Sequence, residues 1–102
     1  MKSRRTKALE IPQRVKHAVW ERDEARCILC GSQHAAPEAH FVPRSAGGLG
    51  IEENIVTLCR SCHDAYDQST FRKPLGKRIE TYLCGKYPEW DKSKLYYRKE
   101  NE

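Results

Sequence analysis

The chain has 102 residues, of which 38% are hydrophobic, and 19 Lys and Arg against 14 Asp and Glu give it a net charge of +5. This length fits one domain with a thin core, and the sequence has no apolar run near the ~18 residues of a membrane span and no secretory signal. We therefore expect a cytoplasmic protein, whose modest basic excess is compatible with a polyanionic partner without requiring one.

The first ten residues are polar and basic and show no apolar periodicity, which predicts a flexible arm over residues 1–10. A helix is predicted from Pro12 to about Asp23, because proline suits a first-turn position and three apolar residues follow at helical spacing. We expect this helix to pack on the core of a main domain that spans residues 11–86.

Two cysteine pairs with Cys-x-x-Cys spacing give the strongest signal in the sequence: Cys27 with Cys30, and Cys59 with Cys62. In a cytoplasmic protein such pairs are more typical of a metal site than of disulfides. Zinc binds four thiolates tetrahedrally and then has no open position, so these residues predict a structural Zn²⁺ site. The fifth cysteine, Cys84, has no partner at this spacing, and we expect a buried or half-buried thiol.

The segment between the cysteine pairs predicts a β-hairpin with a long glycine-rich loop. Residues 39–42 form the first strand, which Pro43 ends, and the β-branched stretch 55–58 returns as the second strand. Residues 32–37 are predicted to be a loop that leads into the hairpin.

The rest of the chain predicts two helices and a tail. A helix that begins near Ser61 and carries Cys62 would place His63 and Asp67, four residues apart, on one face. A further helix is predicted after Pro74, with Gly85 as its end. Residues 87–102 are aromatic and charged, and we expect a tail that packs on the domain or extends it.

Polar residues of the hairpin and helix exceed what a structural metal site needs. The pattern is His40, Pro43, Ser45, Gly47, Gly48, Asn54, Val56, Leu58, Cys59, Cys62 and His63. It resembles the signature of the HNH endonucleases, in the subgroup that carries a four-cysteine zinc site. The resemblance covers about residues 12–68, with the core motif at 27–68, and the run 47–59 is similar to small phage and prophage members. It implies an α+β fold, a ββα-metal (His-Me) finger with a structural zinc site of four cysteines and flanking helices.

The resemblance implies a metal-dependent DNA endonuclease that hydrolyses phosphodiester bonds, by nicking or by double-strand cleavage. His40 would be the general base, since a neutral imidazole can accept a proton at physiological pH. His63 would bind a divalent cation, Mg²⁺ or another such as Mn²⁺. Asn54 would either join that cation through its side-chain oxygen or brace the loop that carries the base. Arg44 would contact a DNA phosphate or remain a solvated loop arginine.

One position departs from the family pattern. Most members have Asp, Glu or His as a metal ligand just before the general base, and this chain has Ala39 there. Two residues are candidates to replace that ligand, Glu38 and Asp67. We favour Asp67, because strand alternation is expected to point Glu38 away from the side of the sheet that Ala39 faces. The substitution at this position also supports an alternative, a catalytically weakened, zinc-stapled nucleic-acid-binding module.

The partner implied by the resemblance is double-stranded DNA, which the finger would grip through the backbone in the minor groove. Such binding is largely electrostatic and depends on salt. We expect no membrane partner and a protein that is a monomer or a weak homodimer. The resemblance also places the protein in the cytoplasm of a bacterial or phage-infected cell.

Overall fold

A computed structural model of the chain describes residues 2–68 and 70–98. Its four α-helices are α1 (Arg4–Leu9), α2 (Gln13–Arg22), α3 (Arg60–Gln68) and α4 (Arg72–Lys86). The two strands β1 (Ala35–His40) and β2 (Ile55–Cys59) form one antiparallel sheet. The predicted α+β fold is confirmed, with β1, β2 and α3 as the ββα unit. Among the described residues, no helix combines the length and apolar character that crossing a bilayer requires.

The N-terminal segment differs from the prediction of a flexible arm. Residues 4–9 form α1, which begins where the hydroxyl of Ser3 accepts a hydrogen bond of 3.1 Å from the amide of Thr6. Leu9 is 3% exposed, and the carbonyl of Ala8 accepts a 3.0 Å hydrogen bond from the amide of Gly50. Six residues are too few to show an apolar period, so the sequence pattern could not reveal this helix. Met1, the first residue of the predicted arm, lies outside the described residues.

Helix α2 confirms the helix predicted after Pro12. Its apolar face buries Val15 and Val19, which are 3% and 0% exposed and pack with Ile55 of β2. This contact holds α2 against the hairpin, where the helix meets both β1 and β2.

Strand β1 begins at Ala35, four residues before the predicted start. The pairing register with β2 changes by one residue between Ala36 and Ala39, so Pro37 and Glu38 form a β-bulge. Proline has no amide proton for the ladder, and a bulge is one of the few strand positions that accept it. The prediction of a loop over residues 32–37 was therefore wrong from Ala35 onward.

Helix α4 also extends beyond its predicted limits. It begins before Pro74 and continues through Gly85, the predicted end, to Lys86. Leu83 is 0% exposed, and because neighbouring helical residues point about 100° apart, Cys84 turns outward. Cys84 is exposed and is not the buried or half-buried thiol that was predicted.

The main core lies between the sheet, α3, α4 and the described part of the tail. The ring of Phe41 stacks on Tyr66, with centroids 6.4 Å apart, and meets Trp90 at 5.8 Å. Leu95, in a 3₁₀ helix at Lys92–Leu95, is 1% exposed. These tail residues cover the residues that directly follow β1. Residues 99–102, the end of the predicted tail over 87–102, lie outside the described residues.

Candidate functional site

The four paired cysteines gather where β1 begins and β2 ends. Their sulfur atoms all lie within 4.8 Å of one another, and the Sγ atoms of Cys30 and Cys59 are 3.6 Å apart. Four sulfurs bound tetrahedrally to one Zn²⁺ at ~2.3 Å would be separated by about 3.8 Å. The cluster therefore has the dimensions of a four-thiolate metal site, and the four cysteines are placed to bind a metal ion.

Tight turns create the two halves of this cluster. The amide of Gly31 donates a 2.9 Å hydrogen bond to the carbonyl of Cys27, and its φ of 81° suits glycine. On the first turn of α3, the amide of Cys62 lies 3.4 Å from Sγ of Cys59. Burial acts to raise the pKa of Cys27, but backbone hydrogen bonds outweigh it and lower the pKa to about 7. The backbone thus favours the thiolate, the form that binds metal, at Cys27, whereas burial and the neighbouring cysteines raise the pKa of Cys62.

A second polar site is a cleft of about 530 Å³ beside β1 and α3. Its ionisable lining residues are Glu10, Lys16, Glu38, His40, Arg44, His63 and Asp67. The structure thus brings together both motif histidines, both candidate carboxylates and the loop arginine. Two imidazoles, three carboxylates and two cations in one cleft can transfer a proton and hold a cation.

His40 is held so that a defined ring nitrogen is basic. Its Nε2 lies 2.9 Å from the carbonyl oxygen of Leu9. A carbonyl oxygen only accepts hydrogen bonds, so Nε2 carries the proton and Nδ1 of the neutral ring is the nitrogen that can take one up. Leu9 ends α1, so the segment predicted to be a flexible arm orients this imidazole.

The surroundings of His40 keep its imidazole neutral. Burial lowers the pKa below the ordinary value of 6.5. The Leu9 carbonyl opposes this shift by stabilising the charged ring, whereas charge interactions with Arg44 and His63 add to it and the interaction with Asp67 opposes it. The net effect is a lowered pKa, so the ring is uncharged near pH 7 and able to act as a base.

His63 and Asp67 form a pair on one face of α3. The Nε2 atom of His63 lies 3.1 Å from Oδ2 of Asp67, as their spacing of four residues predicts. Glu38 points away from the side that Ala39 faces, as strand alternation predicts, but the cleft lies on the side of Glu38, so the alternation is no reason to set this residue aside. It is Ala39 that turns into the core, at 2% exposure, while Glu38 and His40, two residues apart, share the cleft face of β1.

The donors that the cleft offers to a divalent cation are a carboxylate and an imidazole already in contact. Both are ligands of Mn²⁺, and carboxylates suit Mg²⁺. Glu38 is less available, since its Oε1 lies 3.2 Å from the ammonium of Lys16. Among the described residues, the four cysteines are the only place where three or more His, Cys, Asp or Glu side chains lie close enough to hold one metal ion. The pair of His63 and Asp67 therefore fits a cation that takes its other ligands from water and substrate phosphate.

Asn54 braces the loop and does not face the cleft. Its side chain is buried, and its Oδ1 accepts a 2.7 Å hydrogen bond from the amide of Val42. Its Nδ2 donates to the carbonyls of Val42 and Leu49 at 3.1 and 2.8 Å. Because both ends of the amide are used, Asn54 is not placed as a cation ligand, and of its two predicted roles the bracing role fits. Gly48 permits this closure, since a Cβ there would collide with the carbonyl oxygen of Val42.

Sequence analysis missed a buried ion pair that connects the elements around the hairpin. Nε of Arg22 lies 2.7 Å from Oδ1 of Asp23, and Asp23 is 4% exposed. Oδ2 of Asp23 accepts from the amide of Thr57 at 2.8 Å, and the hydroxyl of Tyr82 donates to Oδ1 at 2.6 Å. Nη2 of Arg22 also donates to the carbonyl of Ile55 at 2.7 Å. The pair thus joins α2, β2 and α4, although a charged helix end is usually solvated.

Comparison with known proteins agrees with this geometry. Anaredoxin from Nostoc sp. is 31% identical over 48 residues, which are 46% of this chain and 63% of anaredoxin. The matched segment thus spans less than two thirds of that relative's length. A family model described as HNH endonuclease matches residues 27–79, more than half of the chain, and this range holds all four paired cysteines, His40, Asn54 and His63. The resemblance seen in the sequence is confirmed, and the chain belongs to the HNH endonuclease family.

Proposed function

We propose that this protein is a metal-dependent endonuclease that hydrolyses phosphodiester bonds of double-stranded DNA. The observation that carries the proposal is the cleft that holds a neutral His40 beside the pair of His63 and Asp67. Hydrolysis needs a base to deprotonate water and positive charge to stabilise the phosphate and the leaving oxygen. Membership of a nuclease family supports the same class of reaction.

The residues of the cleft divide the work. Nδ1 of His40 takes the proton from the attacking water, and the carbonyl of Leu9 stabilises the imidazolium that results. His63 and Asp67 would hold a divalent cation such as Mg²⁺ or Mn²⁺, which would supply positive charge to the scissile phosphate. Arg44 is exposed on the rim and offers a phosphate a further positive charge. One base serves one strand, so a nick is the first product.

We also propose that the metal bound by the four cysteines is zinc with a purely structural role. Cys27, Cys30, Cys59 and Cys62 would fill all four positions of a tetrahedral Zn²⁺ and would leave none for water or substrate. Hydrolysis is thereby assigned to the cleft, and metal-dependent folding to the cluster of four cysteines.

Cleavage of supercoiled plasmid by the zinc-loaded protein tests the proposed activity. We expect nicking with Mg²⁺ or Mn²⁺, and we expect His40→Ala to lower the rate by about 10²–10⁴-fold, the usual contribution of a general base. His34→Ala is the matched control, since His34 is exposed and outside the cleft, and its rate should be unchanged. Equal rates for the two variants would refute the role of His40. No cleavage with any cation would instead favour the binding module that Ala39 suggests.

The pH dependence of nicking should reflect the lowered pKa of His40. We expect the single-turnover rate to decline as the pH falls, with a midpoint below the ordinary histidine pKa of 6.5, because burial keeps the base neutral to lower pH. Arg44→Gln removes one of the charges that lower this pKa, so the decline should move to higher pH. Rates measured between about pH 5 and 8 check both points. An identical midpoint in both proteins would exclude the effect of Arg44.

A further inference from the structure

A second groove shares Pro43 with the catalytic cleft. It has a volume of about 510 Å³ and an aromatic floor made of Phe41, Tyr66 and Tyr96. Four cations line it, Arg72, Lys73, Lys77 and Lys92, against the single carboxylate of Glu80. Neither the cysteine cluster nor the proposed hydrolysis uses this groove.

The aromatic floor is rigidly connected to the catalytic residues. The hydroxyl of Tyr66 donates a 2.6 Å hydrogen bond to the carbonyl of Phe41, the residue that follows His40. The rings of Phe41 and Tyr66 are stacked with an interplanar angle of 6°. Tyr96 forms an isolated β-bridge with Gly48, in the loop that Asn54 braces. A molecule held on this floor therefore has a fixed position relative to the base.

The cations of the groove lie above this floor and toward solvent. The guanidinium of Arg72 is 4.4 Å from the centroid of the Tyr66 ring, and the ammonium of Lys92 is 5.6 Å from that of Phe41. Lys73 and Lys77 are exposed and stand four residues apart on α4, so they share one face. Among the described residues, 2–68 and 70–98, no carboxylate forms an ion pair with any of these four cations. Their charges are thus available to an external anion.

We propose that this groove binds the phosphate backbone of the DNA beside the scissile phosphate, an inference that rests on the proposed endonuclease function. Several uncompensated cations along one groove match the repeated charge of a nucleic acid backbone. Contacts of this kind fix the position of a duplex without reading its sequence. Because Pro43 lines both sites, a strand leaving the cleft past this residue enters the groove.

Salt-dependent DNA binding tests the proposal, with zinc-loaded His40→Ala protein as the background so that cleavage is too slow to affect the measurement. We compare Lys73→Gln with Lys77→Gln in one protein against Lys86→Gln with Lys94→Gln in another. Both double variants remove two exposed charges, but only the first pair lines the groove. Each phosphate contact contributes about 0.9 to the slope of log K against log salt, so the groove variant should be shallower by about 1.8. The control variant should keep the slope of the background.

Fluorescence anisotropy with a short labelled duplex gives these slopes, and urea midpoints verify that both variants fold. Equal slopes for the two double variants would overturn the proposal. The proposal would also be overturned if the groove variant kept the DNA slope of the background but lost the binding of an acidic peptide that the background protein binds. If the protein that retains His40 nicks plasmid but the groove variant keeps the slope of the background, the groove proposal is rejected and the endonuclease proposal is retained. A shallower slope for the groove variant, if the protein that retains His40 fails to nick plasmid with any cation, would reject the endonuclease and retain the groove as a DNA-binding site.

Discussion

Cys59→Ser is expected to unfold the finger and abolish metal binding. Cys59 is 8% exposed, and its Sγ lies 3.6 Å from that of Cys30. It ends β2, which packs in the main core and also against α2. Structural zinc sites supply roughly 10–16 kcal/mol of apparent binding free energy, which is coupled to folding. A domain of this size has a net stability of about 5–15 kcal/mol, so the loss of the metal leaves no folded state of measurable population.

Far-ultraviolet circular dichroism and the zinc content of the purified protein measure this effect. Cys84→Ser is the matched control, because Cys84 is exposed on α4 and lies outside the cluster. It should retain the native spectrum and one bound zinc per chain. Removal of zinc from the unaltered protein by a chelator should reproduce the spectrum of Cys59→Ser. A native spectrum in the metal-free protein would show that the core folds without the cluster.

Asp23→Ala is expected to lower the free energy of unfolding by about 3–5 kcal/mol, the usual effect of breaking a buried ion pair. The side chains of Arg22 and Asp23 are only 11% and 0% exposed, so the substitution leaves a buried guanidinium without its carboxylate. It also removes the acceptor for the amide of Thr57 and the hydroxyl of Tyr82. Each buried donor left without a partner costs about 1–3 kcal/mol, and this cost is part of the same loss.

Urea unfolding at a fixed zinc concentration measures this loss of stability. The control is Asp64→Ala, since Asp64 pairs with Arg60 at 3.7 Å on the surface and its side chain is 55% exposed. That variant should stay within about 0.5 kcal/mol of the unaltered protein. The m-values should agree, because the surface exposed on unfolding is similar in all three proteins. A loss below about 1 kcal/mol in Asp23→Ala would show that water compensates the arginine.

The features that sequence analysis predicted are those in which ligand spacing and side-chain chemistry carry the information. Two cysteine pairs and a hairpin between them specify where four sulfurs meet, and the structure places them accordingly. The spacing of His63 and Asp67 along one helix likewise fixes their contact. These relations depend on local geometry, which a sequence pattern records directly.

The missed features depend on tertiary packing. Glu38 was set aside because Ala39 was assumed to face the cleft, and the structure turns Ala39 into the core. The charged end of α2 gave no sign that Asp23 would be buried under α4. The partner of His40 is a main-chain oxygen, and since every residue has one, no side-chain pattern could single out Leu9.

The hydrogen bond from His40 to Leu9 also bears on how this finger can be transplanted. The family match begins at Cys27, so a fragment cut at that boundary keeps every motif side chain. It discards the backbone oxygen that holds the imidazole in one tautomer. In this chain the segment that the family match covers is therefore smaller than the unit that orients the proposed base. A chimera made with this finger needs α1 as part of the graft.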